Sequence, residues 1–463
     1  MSRSAAEVLE LPLAEIGRLL RAGETTPRAL ADAALAGLDT TGRALNAVAA
    51  LLPERAAAEA ARAEAELRAG IDRGPLHGIP YGAKDLFAAR GAPTTWGAAP
   101  FRDRVFDFDA AAVESLAAAG AVLVAKLATV ELAGGFGYTQ PDAARTGPGR
   151  NARDPNRWAG GSSSGSGAAV AAGLVPFALG SETWGSITNP ACLNGVVGFR
   201  PTYGLVSRRG AMALSWTMDK IGPLARTVDD CQTVLAAMAG SDPADPTTLL
   251  ARPFRSDERR TGFRFAELRG AAARVEPEVA ANFRAAVDIL ATLGDVEEID
   301  LPDLPYEEAT AIVIQAEAAA AFEEFIESGN VRRLAAPEDR YGLLDGLTVP
   351  AVDYLRALRV RRVAGRALDA AIAPFDAIVA PTQPNVAPPI DEPFEPFAEG
   401  SAAPSLGGPG NLCGLPAITV PNGVGRLGLP TGLELMGRAG ADGTVLATAA
   451  AFERAHAARS LTA

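Results

Sequence analysis

Residues 160–186, "GGSSSGSGAAVAAGLVPFALGSETWGS", place a concentration of serine hydroxyls and glycines directly against apolar, helix-like sequence. Three chemistries compete for such a stretch. A flexible Gly/Ser linker accounts for 160–167, but not for the apolar run that follows at once. A phosphate cradle needs glycine N–H groups facing the anion and a lysine to reach it, yet no lysine and no G-x-x-x-x-G-K-[ST] pattern occurs here. The third is nucleophilic catalysis. Ser186 follows small residues where a helix is predicted to begin, with Pro190 in its first turn. Backbone N–H groups at such a turn can converge on one oxygen, which is what a tetrahedral oxyanion requires.

A serine hydroxyl is a weak nucleophile without a base. Only two histidines are available, His77 and His456, and His456 falls in a polar C-terminal helix. Lysine is therefore the candidate, and "GIPYGAKDLF" offers Lys84 in an apolar, strand-like setting. Burial disfavours an ammonium, so an enclosed lysine falls from about 10.4 toward neutrality. Arginine cannot substitute, because it does not deprotonate. A Ser-His-Asp arrangement through His77 stays open, and it would leave Lys84 a coincidence. Lys126, after "AVLVA", reads as an ion-pair partner, Asp219 in "MDKIGP" as a turn or cap residue near the site, and Cys192 as core packing.

These residues need a scaffold. Residues 5–70 carry helical spacing, and "TTPRALADAALAGL" sets Thr26 as N-cap with Pro27 at the first helical position. From about residue 78, short apolar runs (Val122–Ala125, Val175–Leu179, Val196–Phe199, Ala377–Pro381, Ala417–Pro421, Gly432–Met436) alternate with Ala-rich helical stretches. That alternation predicts a mixed, largely buried sheet covered by helices. Residues 250–345 read as a charged, helical excursion from the core, and 381–410 as a loop long enough to wall a pocket.

Bulk properties narrow the function. The chain has 463 residues, is 48% hydrophobic and carries a formal net charge of −12. Such acidity opposes electrostatic grip on nucleic acid or anionic lipid; "RALRVRR", 356–362, is the densest basic stretch and reads as the wet face of a helix. Three dispersed cysteines offer neither a disulfide framework nor a zinc knuckle, and two histidines argue against an imidazole-built metal site. No run approaches the length of a membrane span. The opening "MSRSAAEVLELPLAEIGRLL" lacks a signal-peptide pattern, so a cytoplasmic protein is expected.

The serine stretch and its continuation, "SITNPACLNGVVGFRPTYG", resemble the signature block of the amidase signature family. "LHGIPYGAKDLF" is similar to that family's catalytic-lysine segment, and "NARDPNRWAGGSSSG", "MDKIGPLART" and "NLCGLPAITVP" match in order and character. The resemblance covers roughly 75–240 and 375–455. It implies the amidase signature fold, an α/β architecture with a large, mixed, twisted sheet covered by helices on both faces. One domain would span 1–463: a helical layer (1–70), the signature core (75–240), the variable excursion (250–345) and the C-terminal part of the core (375–463).

The resemblance further implies a Ser–cis-Ser–Lys triad, with Ser186 as the acylated nucleophile, Ser162 as a bridging serine at a cis peptide bond and Lys84 as the terminal base. Backbone N–H groups of Thr183, Trp184, Gly185 and Ser186 would form the oxyanion hole. Ser163 would support Lys84, and the neighbourhood of Ala133 to Gly135 would line the acyl pocket. The implied activity is hydrolysis of a small-molecule carboxamide through an acyl-serine. No cofactor, metal, nucleic acid or membrane is expected, and a homodimer accords with the family. A catalytically silent binding protein and a glutamine-hydrolysing amidotransferase A-type subunit are the rival readings. The sequence also departs from the family pattern. Glu182 stands where Asp is usual, Trp184 for Gly, Thr188 for Arg, and Ala128 for Asn. The usual Asp–Arg contact is thus missing unless other groups replace it, and an indole is expected near the acyl site.

Overall fold

Eleven strands form one sheet in the computed structural model, which describes residues 3–134, 141, 143–248, 254–257, 261–392 and 404–460. The strands are β1 (Val48–Leu51), β2 (Pro80–Lys84), β3 (Val122–Leu127), β4 (Phe177–Glu182), β5 (Val197–Arg200), β6 (Lys220–Ala225), β7 (Phe263–Leu268), β8 (Gly294–Ile299), β9 (Ala377–Pro381), β10 (Ala417–Val424) and β11 (Pro430–Met436). Their spatial order is β1-β3-β2-β4-β6-β5-β10-β11-β9-β7-β8. Parallel pairs join β2 to β3 and β4, and β7 to β8 and β9; the remaining pairs are antiparallel. The sheet is mixed and flanked by helices.

The interior strands β2, β3, β5, β6, β9 and β11 are buried along their whole length. Strands covered on both faces carry continuous apolar runs rather than strict alternation, which is why those runs were readable. In the N-terminal region, Thr26 Oγ1 accepts from Ala29 N–H and Pro27 takes the first position of helix Pro27–Gly37. That layer also contributes an edge strand, β1, paired antiparallel to β3.

Two expectations are corrected here. Residues 250–345 are not solely a helical excursion, because β7 and β8 extend the main sheet through β9. β8, "GDVEEI", is an edge strand with its charged side chains in water, a composition that guards an edge and hides the strand from an apolar search. The supposed loop 381–410 contains the start of a short helix, Gly407–Leu412, despite its "GGPGNL" composition. Residues 393–403 of that stretch lie outside the described residues.

Candidate functional site

Lys84 is the last residue of β2 and Glu182 the last of β4, and these strands run parallel side by side. The sheet therefore delivers the lysine and the serine-bearing turn to the same end. Lys84 is fully buried, and its Nζ donates to Ser162 Oγ at 2.7 Å, Ser181 Oγ at 3.0 Å and the Ser181 carbonyl at 3.2 Å. Burial brings its pKa down to about 7, although Asp219 and Glu182 pull the other way. A buried amine balanced near neutrality can accept a proton.

Ser162 sits just ahead of helix Ser164–Ala171, and the Gly161–Ser162 peptide bond is cis. Gly161 N–H donates to Asn189 Oδ1 at 3.0 Å, and Ser163 donates from N–H (3.2 Å) and Oγ (2.5 Å) to the Ser186 carbonyl. The two serine-bearing segments are thus stitched together on either side of the buried amine. Gly160 has φ +78°, and a Cβ there would come within 2.6 Å of Asn189 Oδ1 and 2.7 Å of Pro190 Cα, so only glycine fits.

Ser186 is buried in the turn that enters helix Thr188–Asn194. Gly185 adopts φ +77°, and among the described residues no acceptor takes the backbone N–H of Trp184 or Gly185. Free N–H groups beside a serine hydroxyl are the donors an oxyanion needs. Around them the turn is clamped from several elements. Thr183 Oγ1 donates to Asp219 Oδ1 at 2.6 Å, and Lys220 Nζ donates to the Thr183 carbonyl at 3.2 Å and to Asn411 Oδ1 at 2.7 Å. Burial raises the pKa of Asp219 and lowers that of Lys220.

Other groups, Glu182 and Arg200, replace the usual acid–arginine contact. Glu182 Oε2 accepts from the N–H groups of Ile187 (2.8 Å) and Thr188 (3.0 Å), and Oε1 takes a 2.6 Å bond from Arg200 Nη1. Arg200 reaches in from β5, and the longer Glu side chain spans the gap. Burial alone would raise the Glu182 pKa, but Arg200 and then Lys220 bring it to about 2. Trp184 follows Thr183 in the same turn. Its indole, 41% exposed, donates to Glu307 Oε2 at 3.1 Å and lies against Gly407.

Ala133 is buried at φ +62°, beside Leu132 at φ +48°, in the short turn Glu131–Gly134. Val130 N–H, leading into that turn, donates to the Ser162 carbonyl at 3.1 Å. The Glu131 carboxylate accepts from Ala335 and Ala336 N–H at 2.9 and 2.7 Å, fixing the turn to the following helical segment. Gly135 lies outside the described residues.

His77 is engaged elsewhere, with Nε2 3.0 Å from Glu66 Oε2 and Nδ1 accepting from Arg73 N–H. Lys126 Nζ pairs with Asp85 at 2.8 Å, both fully buried. Sequence reasoning missed Arg200, Lys220, Ser181 and Glu307. One signal was present: the chain has three lysines, Lys84, Lys126 and Lys220, and all three are buried. Each lysine of this chain marks an interior position. Among the described residues no cluster of three or more His, Cys, Asp or Glu could hold a metal ion, and no helix is long and apolar enough to cross a membrane.

The family model described as Amidase matches residues 29–446. The chain belongs to the amidase signature family. The A-type subunit of the glutamyl-tRNA(Gln) amidotransferase from Roseiflexus sp. (strain RS-1) is 37% identical over 96% of each chain. The native peptide amidase from Stenotrophomonas maltophilia superposes with a TM-score of 0.86 at 33% identity, over 96% of both chains. A chain from a vestigial protein complex connected with the origins of an s-triazine catabolic enzyme gives 0.88 at 32% identity, over 96% of this chain and 98% of that one. Amidase signature relatives therefore include both amidases and amidotransferase subunits, and the family-level chemistry is action on C–N bonds.

Proposed function

We propose that this protein is an amidase that hydrolyses a small carboxamide through an acyl-serine. The observation that carries this reading is the 2.7 Å bond from Lys84 Nζ to Ser162 Oγ, fully buried, beside the turn that holds Ser186. Neutral Lys84 takes the proton of Ser162, and Ser162 takes that of Ser186 as the Ser186 oxygen attacks the amide carbonyl. The C=O electron pair moves to oxygen, facing the N–H groups of the turn Thr183–Ser186. The relay then returns the proton to the departing nitrogen, the C–N bond breaks, and ammonia or an amine leaves. Water, deprotonated by the same relay, hydrolyses the acyl-serine.

The similarity to the A-type component of a glutamyl-tRNA(Gln) amidotransferase supports a second reading. Here the same acyl-serine step would release ammonia from glutamine for transfer, within a complex of partner proteins. The acidic charge of this chain favours the free amidase.

Ammonia and amine release across a panel of amides, glutamine included, tests the proposal. Ser186→Ala and Lys84→Ala should abolish turnover of whichever amide is accepted. Full turnover in either variant would overturn the mechanism, and glutamine turnover only with added partner proteins would favour the second reading.

A further inference from the structure

Glu434, on β11, brings its carboxyl toward the same guanidinium nitrogen, Nη1 of Arg200, that Glu182 holds. It is 4% exposed, and its Oε1 lies 3.8 Å from Arg200 Nη1 with no hydrogen-bond partner. Arg200 is fully buried and its Nη2 also has no partner, while Nη1 is committed to Glu182 and Nε to the Leu415 carbonyl at 3.0 Å. Two carboxyl groups thus face one guanidinium, one bonded and one standing off. We propose that Glu434 is a positioning residue for the oxyanion turn, acting through Arg200: neutral, it leaves the guanidinium to Glu182, and ionised, it draws it away. This rests on the reading of Ser186 as the nucleophile.

The coupling follows from the bonds of Glu182. Its Oε2 holds the N–H groups of Ile187 and Thr188, the two residues directly after Ser186, so a displaced Arg200 loosens the segment that orients the serine. The guanidinium has little freedom to satisfy both acids by moving. A Cβ at Gly410 would come within 2.5 Å of Nη2, so the helix Gly407–Leu412 backs directly onto it. Besides Arg200 on β5 and Glu182 on β4, Glu434 acts on the Cys192 thiol of helix Thr188–Asn194, which burial pushes up to about 12. Lys220 on β6 faces Glu182, Asp219 and Arg200. Burial pushes Glu434 up to about 7, opposed by Arg200 and reinforced by Glu182. Near neutrality Lys84 must shed a proton while Glu434 must keep one, and activity is confined between the two.

The test is the pH dependence of Ser186 modification by a fluorophosphonate, in the parent and in Glu434→Gln, a neutral isostere of the protonated acid. The ratio of variant to parent rate should climb on the order of tenfold between about pH 6 and pH 9, because only the parent loses a competent form. Thermal unfolding supplies a second readout. A carboxyl whose folded pKa is raised stabilises the fold below its unfolded value and loses that contribution as pH rises through the folded value. The variant's gain in unfolding temperature should therefore be larger at the higher pH. Superimposable rate profiles, or an equal gain at both pH values, would overturn the proposal. No labelling in either protein would instead overturn the role of Ser186, and the proposal with it.

Discussion

Lys84 Nζ lies 2.7 Å from Ser162 Oγ and 3.0 Å from Ser181 Oγ, at the C-terminal ends of two parallel strands. Three acceptors, counting the Ser181 carbonyl, match the three N–H groups of an ammonium, while full burial penalises the charge. The outcome is an amine near pKa 7, which loses its proton within the working range. Amide turnover should carry a limb that rises through about pH 7 as Lys84 becomes neutral, opposed by the fall that Glu434 sets, and Lys84→Met should lose at least about 10²–10⁴ in rate with the rising limb abolished. A pH–rate profile of kcat/KM for both proteins checks this.

Gly185→Ala separates backbone geometry from packing. At φ +77° with nothing within 4 Å of a built Cβ, the substitution meets no clash and only disfavours the left-handed backbone. The stability cost should stay near 1–2 kcal/mol, about the penalty for a non-glycine residue in that region. If the turn's N–H groups stabilise the oxyanion, kcat should nevertheless fall by about 10²–10³. Denaturant unfolding and steady-state kinetics on one preparation measure both.

Several interior strands were legible in the sequence for a physical reason, and so were the residues proposed for the site. β9 is buried along its whole length and apolar throughout, and β3 is apolar but for Lys126, while glycine-rich turns are confined by backbone geometry. Lys84 could be singled out because histidine is so scarce. The long-range partners were hidden. Arg200 and Glu182 are 18 residues apart in sequence and meet only because β4, β6 and β5 are neighbours. Glu307 approaches Trp184 from a helix 123 residues away. β8 escaped notice because an edge strand tolerates charge, and Gly407–Leu412 because its helix is dictated by packing against Arg200 and Trp184 rather than by propensity.

Lys126 and Asp85 form a buried pair whose members depend on each other. Lys126 Nζ also donates to Thr94 Oγ1 at 2.9 Å, and Thr95 N–H donates to Asp85 at 3.0 Å. Lys126→Met leaves a buried carboxylate without its counter-ion, and should destabilise the fold by about 3–5 kcal/mol. Denaturant titration reads the loss directly.

Glu182 ties stability to acid. Its folded pKa of about 2 lies below the ordinary carboxylate value, so its ionised form favours the fold. That contribution is present above the unfolded value, about 4.5, and is lost as pH falls toward 2. The parent should lose about 3 kcal/mol over this window from Glu182 alone. In Glu182→Gln the slope of stability against pH across that window should be correspondingly shallower, as measured by denaturant titration at a series of pH values.

The relay from Lys84 through Ser162 to Ser186 is tested most directly by mapping where a fluorophosphonate attaches. After treatment of the folded protein at neutral pH, peptide mass spectrometry should find one adduct, on Ser186, and its formation should be slowed severely in Lys84→Met and Ser162→Ala. An adduct on another residue, or unslowed labelling of Ser186 in both variants, would contradict the account.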